Sequence, residues 1–265
     1  MTKAQIKRTY WENGNIKTEE RYVDGIRNGL SKTYLIDGRL LTEKNYKDGL
    51  LHGKCKDYSS IDDKNLISEK EYKNGELVSY MCYYKGKKHL KAYYDSGRAK
   101  KYIHFDEEGK IQRIENYCIG VADGKFIENI GGVTIVTPYS LGYVSGKLKH
   151  YADNMLLYDV DYIDGMVEGK QKFYCKVGLK QETQYKEGYI DGKQKIYFDD
   201  GKSLEVSRSF EGGYLHGYVN IYEKSGETKS KRKYERGRLE KVIKADKNNK
   251  DVYLVSMRPI FERKK

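Results

Sequence analysis

The sequence predicts an all-β protein: an elongated, single-layer antiparallel sheet built from about ten tandem β-hairpin repeats. Three observations predict it. The phrase YKDGLLHG at 46–53 returns as YVDGIRNG at 22–29, YIDGMVEG at 162–169, YKEGYIDG at 185–192 and FEGGYLHG at 210–217. Aromatic-x2-Gly begins at Tyr22, Tyr46, Tyr72, Tyr94, Tyr117, Tyr139, Tyr162, Tyr185, Phe210 and Tyr234, at intervals of 22 to 26 residues. No long stretch carries the periodicity of an amphipathic helix, and the regular return of glycine nearly excludes one.

One unit, GLSKTYLIDGRLLTEKNYKDG at 29–49, justifies each element in order. Strand-forming residues run from Leu30 to Leu35. Ile36, Asp37 and Gly38 then make a three-residue hairpin loop, with glycine where φ must be positive. That register sets Tyr34 opposite Leu40, an aromatic–aliphatic cross-strand pair. The return strand runs to Tyr46, and Asp48-Gly49 with His52-Gly53 turn the chain into the next hairpin. An aliphatic residue stands six before the aromatic, as in Ile16/Tyr22, Leu40/Tyr46 and Leu179/Tyr185. An even spacing places both on one face of a regular strand. A third signal is a tyrosine five residues after the second-glycine position, at Tyr34, Tyr58, Tyr84, Tyr151, Tyr174, Tyr197 and Tyr222. Seven of the ten copies carry the second glycine; Ser79, Lys101 and Lys241 replace it in the others.

The array covers 1–245, with units near 7–29, 30–53, 54–79, 80–101, 102–124, 125–146, 147–169, 170–192, 193–217 and 218–241. Residues 246–265 read as a capping strand, DVYLVSM at 251–257, and a basic tail. The composition is poor for a deep core, with 38% hydrophobic and 34% charged residues, but the 27 tyrosines are regularly placed. Disorder is poor in aromatics and aperiodic, so an ordered chain that buries half-polar tyrosine faces is expected.

These units resemble MORN repeats, and more closely the bacterial MORN-repeat variant, as in TYWENGNIKTEERYVDGIRNG at 9–29. The resemblance covers roughly 7–245. It implies a protein-interaction or scaffolding role, and, through the YwqK-type antitoxin grouping of many variant arrays, binding and neutralising of a partner toxin. The chain departs from the pattern around 79–105 and 126–137 and after 241, where function is expected to sit.

Catalytic signatures are missing. The five histidines are scattered, and His52 and His216 fill one turn position. No HExxH, GxSxG or P-loop occurs. The four cysteines, Cys55, Cys82, Cys118 and Cys175, form no CxxC and read as free thiols of a reducing compartment. No cofactor or metal is expected. With Met1 as the start, the opening MTKAQIKRTYWENG has no apolar run, so a cytoplasmic, non-enzymatic protein is expected.

Charge separates two segments from the rest. The net charge is +12; residues 85–101, KGKKHLKAYYDSGRAKK, carry +6 and residues 229–265 carry +9. Interleaved cations and rings around Tyr83, Tyr84, Lys87, Lys88, Lys91, Tyr93, Lys100 and Lys101 suit a protein interface. They also suit a single-stranded nucleic-acid surface or a plain solvated strand face. Lys231, Arg232 and Lys233 suit an acidic partner, nucleic acid or anionic lipid, or an edge strand blunted against aggregation. From Asn129 to Gly146 no residue is charged. Ile135, Tyr139 and Tyr143 there are either the best-buried strand or an apolar docking strip. The expected function is a non-catalytic scaffold that binds another macromolecule, with a protein toxin or effector as the first partner. A nucleic-acid-associated accessory or inhibitor is the alternative, a membrane-associated scaffold the third, and self-association through sheet edges a further expectation.

Overall fold

The computed structural model describes residues 3–61 and 65–245. Among them there is no helix, and 25 strands are formed, every pairing given by register being antiparallel. Four of these strands are two-residue pieces, such as Ile26–Arg27 and Leu50–Leu51, set off from the longer strand that follows by an irregularity. The chain divides into two units, Met1–Tyr143 and Val144–Lys265. Each is an open stack of hairpins without a second layer. The proposed capping strand at 251–257 lies outside the described residues.

The turn chemistry explains the repeat. In all ten units the residue before the first glycine also has positive φ, from Asp24 (48°) and Asp48 (50°) to Glu187 (50°) and Gly212 (54°). Lys47 pairs with Leu50 around Asp48-Gly49. Two consecutive positive-φ residues between paired neighbours form the two-residue hairpin turn whose twist matches that of the strands. At the other end of the hairpin, Leu35 donates to the Arg39 carbonyl (2.8 Å) and Gly38 to that of Leu35 (2.9 Å). The three-residue loop and the Tyr34–Leu40 pairing are therefore both formed.

The second glycine has a different task from the one expected. It closes no turn. Tyr22 pairs with Arg27, yet Thr18 pairs with Thr33, two residues beyond a straight ladder. Gly29 (φ 103°), Gly53, Gly124, Gly169, Gly192 and Gly217 sit at these two-residue bulges with positive φ. Where Ser79 replaces the glycine the slip is one residue: Tyr72 pairs with Leu77 and Glu71 with Ser79. Lys101 behaves likewise, with Tyr94 opposite Ala99 and Tyr93 opposite Lys101.

The larger bulge has a consequence for cohesion between repeats. The first-glycine N–H donates to a carbonyl of the preceding repeat at Gly49→Arg27, Gly75→Leu51, Gly142→Ala122, Gly165→Val144, Gly188→Val167, Gly213→Ile190 and Gly237→Leu215, all at 2.8–2.9 Å. Each follows a repeat that has its second glycine. Gly97 and Gly120, which follow Ser79 and Lys101, make no such bond among the described residues. The staple is thus interrupted in the middle of the first unit.

A bulge also overturns the expected facing of the aliphatic and aromatic signals. Thr33 pairs with Thr42 but Tyr34 with Leu40, so one extra residue lies between Leu40 and Tyr46. Cross-strand partners share a face and strand neighbours alternate. Tyr46 therefore shares a face with Thr42 and Thr33, and Leu40 and Tyr34 occupy the other. The same slip recurs at Tyr10, Tyr58, Tyr151, Tyr174, Tyr197 and Tyr222. Both faces therefore carry tyrosines.

The face of Tyr22, Tyr46 and their equivalents, the first face, holds the core. In the first unit it buries Ser31, Cys55, Ser68, Ala92, Glu115 and Phe126; in the second it buries Tyr158, Val160, Gln171, Thr183, Gln194, Val206, Arg208, Val219 and Ser230. With no second layer, rings supply the cover. Tyr102, Tyr117, Phe126 and Tyr139 follow one another at 5.8, 5.4 and 4.5 Å between centroids. Such pairs contribute about 0.5–1.5 kcal/mol each beyond the area they bury. The second face is a polar ladder. In five of the ten repeats the third residue before the aromatic supplies a carboxylate, at Glu19, Glu43, Glu69, Asp159 and Glu182. These pair with Arg8 (2.7 Å), Lys32 (3.3 Å), Lys56 (3.9 Å), Lys147 (3.7 Å) and Lys170 (3.3 Å). Tyrosines of the following repeat donate to the same groups: Tyr58 to Glu43, Tyr83 to Glu69 and Tyr174 to Asp159, at 3.0–3.2 Å.

Candidate interaction surface

The segment 85–101 spans the strands Lys87–Asp95 and Arg98–Phe105, beside Glu76–Tyr84. It departs from the ladder in composition. Lys91 and Ile114 stand where Glu43 and Glu69 stand in earlier repeats. The result is a local excess of cations. Lys87 donates to the Glu107 carbonyl at 2.7 Å, Lys91 lies 4.7 Å from the Tyr93 ring centre and Lys85 5.3 Å from that of Tyr84. Among the described residues, Lys85, Lys87, Lys88, Lys91, Arg98, Lys100 and Lys101 form no ion pair with a carboxylate. Lys32 and Lys56, on the second face of earlier repeats, do so.

The hairpin tip opens a shallow groove of about 450 Å³ lined by Tyr84, Lys85, Lys87, Lys88, His89, Phe105, Asp106, Glu107 and Gln112. Its acidic content is partly spent. Asp106 Oδ1 accepts the backbone N–H groups of Glu108 (3.1 Å) and Lys110 (2.8 Å), closing its own loop.

The tyrosines of the segment are unequal. Tyr83, not Tyr84, takes the place of Tyr58 in the ladder, because the hairpin closes on the two-residue turn Lys85-Gly86 and slips one residue at His89. Burial, then its bond to Glu69, pushes the Tyr83 phenol up. Tyr93 shares the second face with Lys91, and Tyr94 is half-buried on the first. Tyr84 is 65% exposed. Lys88, Lys91 and Lys101 lie on the second face, Lys87 on the first, and exposed Lys100 at the bulge between Tyr93 and Tyr94.

The other two groups of expected residues do not converge. Lys231 and Lys233 lie on the second face of Thr228–Glu235, Arg232 on the first. Lys231 stands 4.6 Å from the Tyr218 ring centre and Lys233 pairs with Glu240 at 2.8 Å. In the uncharged stretch, Tyr139 packs on Phe126 and Ile135 is half-buried, while Tyr143 is 61% exposed. No residue of Val133–Ser140 is fully buried, so it is not the best-buried strand.

Among the described residues no three His, Cys, Asp or Glu side chains are placed to hold a metal ion, and no helix is long and apolar enough to cross a membrane. Sequence reasoning missed the ladder, although its carboxylates recur three residues before the aromatic in five repeats. It also missed Arg208, a cation on the first face that is only 7% exposed. No protein-family model matches the chain, and no curated protein matches it.

Proposed function

We propose that the chain is a non-catalytic binding scaffold of the MORN-variant type, whose segment 85–101 contacts an acidic face of a partner protein in a reducing, cytoplasmic compartment. By the resemblance of its repeats, that partner is a toxin or effector which the scaffold neutralises. One observation carries the reading: the lysines of this segment have no carboxylate partner among the described residues, while Lys32 and Lys56 on the second face of earlier repeats pair with Glu43 and Glu69. An unpaired surface cation gains most from an incoming negative group, both in encounter rate and in register.

The distribution of the cations favours protein over nucleic acid. They stand on both faces and at the tip, so they trace no continuous backbone track. Single-stranded nucleic acid also needs several free ring faces for stacking. Tyr83 and Tyr93 are engaged within the sheet, which leaves Tyr84 as the exposed ring. A protein contact needs only one or two such anchors.

The test is a comparison of the tagged full chain with Lys87→Glu/Lys88→Glu/Lys91→Glu, each expressed in the native host and purified with quantitative identification of what comes along. The expected result is one stoichiometric acidic protein retained by the parent and lost by the variant at unchanged melting temperature. Retention of that protein by the variant would remove the segment from the interface. Nuclease-sensitive co-purification of nucleic acid, lost in the variant, would replace the protein reading.

A further inference from the structure

Arg208 lies at the centre of the first face of the second unit, on Leu204–Glu211. It pairs in register with Gln194 on one side and Val219 on the other. Only 7% of it is exposed. Its Nε is sealed from solvent without a hydrogen-bond partner, and among the described residues the guanidinium forms no ion pair.

The equivalent position in other repeats shows what is missing. Two residues before the aromatic, Lys70 pairs with Asp57 at 2.9 Å, and Glu115 pairs with Arg113 at 2.8 Å and lies 3.7 Å from His104. In each case the opposite charge comes from one pair of register positions, Asp57 with Ser68 or His104 with Arg113. In the hairpin of Arg208 that pair is Ile196 with Val206. On the far side, Val206 faces Ile221 and Arg208 faces Val219. The register partners of Arg208 on that face are Gln194 and Val219, and neither supplies a counter-charge. An Nε–H withdrawn from water without an acceptor is costly, and among the described residues no carboxylate offsets that cost. Burial accordingly pushes its pKa down, opposed by the Tyr234 phenol. Arg232, in register with Val219, adds a second arginine to the same face.

We propose that Arg208 anchors an oxyanion-binding site on the first face of the second unit, the planar guanidinium taking two oxygens of a carboxylate or phosphate that the chain itself does not supply. Geometry explains the choice of class. A guanidinium fork matches paired oxygens in one plane, and such charge-assisted bonds are the strong ones. Two sources share this chemistry, an acidic segment of a protein and a small phosphorylated molecule.

The test is a titration of the ¹⁵N-labelled full chain with sodium phosphate and, separately, with a hexaglutamate peptide, each against sodium chloride at matched ionic strength. The readout is the arginine Nε–H resonance that disappears in Arg208→Leu. The expected result is a saturable movement of that resonance by at least one oxyanion, with affinity lowered roughly tenfold in Arg208→Lys, which keeps the charge but not the fork. Saturation by phosphate alone identifies a small phosphorylated ligand, and saturation by hexaglutamate an acidic protein segment. Arg208→Leu should melt no lower than the parent in anion-free buffer, since it removes an unpaired buried charge. A resonance unmoved by either probe would overturn the site. So would a leucine variant that melts lower or fails to fold, which would make Arg208 a structural residue.

Discussion

Replacing Gly192 by alanine should cost more than the same change at Gly188, four residues earlier, and the difference measures what the second glycine of the repeat does. Both residues have positive φ, 100° and 84°, so both variants carry the left-handed penalty of about 1–2 kcal/mol. A Cβ at Gly188 meets nothing within 4 Å. At Gly192 it would lie 3.2 Å from the Gln184 Cβ and collide with Gln184 Oε1. That oxygen accepts the Lys193 N–H at 2.7 Å. Moving the Gln184 side chain breaks this bond, a further loss of about 0.5–1.5 kcal/mol. The two variants should therefore differ by that amount, a factor of about 2–12 in the local opening equilibrium. Global melting averages over a repeat array, whose units open individually, and does not localise the loss to one hairpin. Hydrogen exchange followed over the strands Gly178–Lys186 and Tyr189–Tyr197 reads the opening directly. Equal opening in the two variants would refute the argument that the second glycine is required by packing as well as by φ.

Ile119 is a β-branched residue at φ 51°, 73% exposed, at a turn position that Asp24, Asp48, Asn74 and Asp164 fill in other repeats; Ile119→Asn should stabilise its hairpin by about 1 kcal/mol, read by the same exchange measurement. Burial raises the Asp57 carboxyl, but hydrogen bonds from Lys70 and Ser68 outweigh it and hold the pKa below its ordinary value. The stability advantage of the parent over Asp57→Asn should be present above the unfolded carboxyl value of about 3.9 and vanish as pH falls through the lower folded one, as acid titration of unfolding will show. Burial and then Glu43 push the Tyr58 phenol up to about 12. The parent should lose stability relative to Tyr58→Phe as pH rises from about 10 towards that value, and the variant should lack one late step in the ultraviolet phenolate titration. Exposed Cys118 should react with an aromatic disulfide reagent before the other thiols of the chain and buried Cys55 last, as peptide mapping of partly labelled protein will establish.

The hairpin and its loops were legible because they are local. YKDG specifies two adjacent positive-φ residues, and LIDG a three-residue loop, whatever the rest of the chain does. The facing of Leu40 and Tyr46 was not legible by parity, because a bulge adds one residue and reverses the alternation. Counting from Tyr34, which Leu40 faces, gives the right answer. The distinction between a two-residue and a one-residue slip was written in the sequence as glycine against Ser79 or Lys101, but its effect on the staple is non-local and needed coordinates. The basic segment was visible as charge. That its lysines lack counter-charges depends on Lys91 and Ile114 occupying ladder positions, which only the register assigns. Arg208 stayed hidden because its isolation depends on Ile196, across the hairpin, and on Val206, which Ile196 faces.

The central claim is that the second glycine ties each repeat to the next, and that the tie is broken where the basic segment lies. Residue-resolved hydrogen exchange of the glycine amides in the free chain tests it most directly. Gly49, Gly75, Gly142, Gly165, Gly188, Gly213 and Gly237 donate across repeats and should be protected; Gly97 and Gly120 should exchange as open turns. Comparable protection at Gly97 and Gly120, or none at the seven others, would contradict the account.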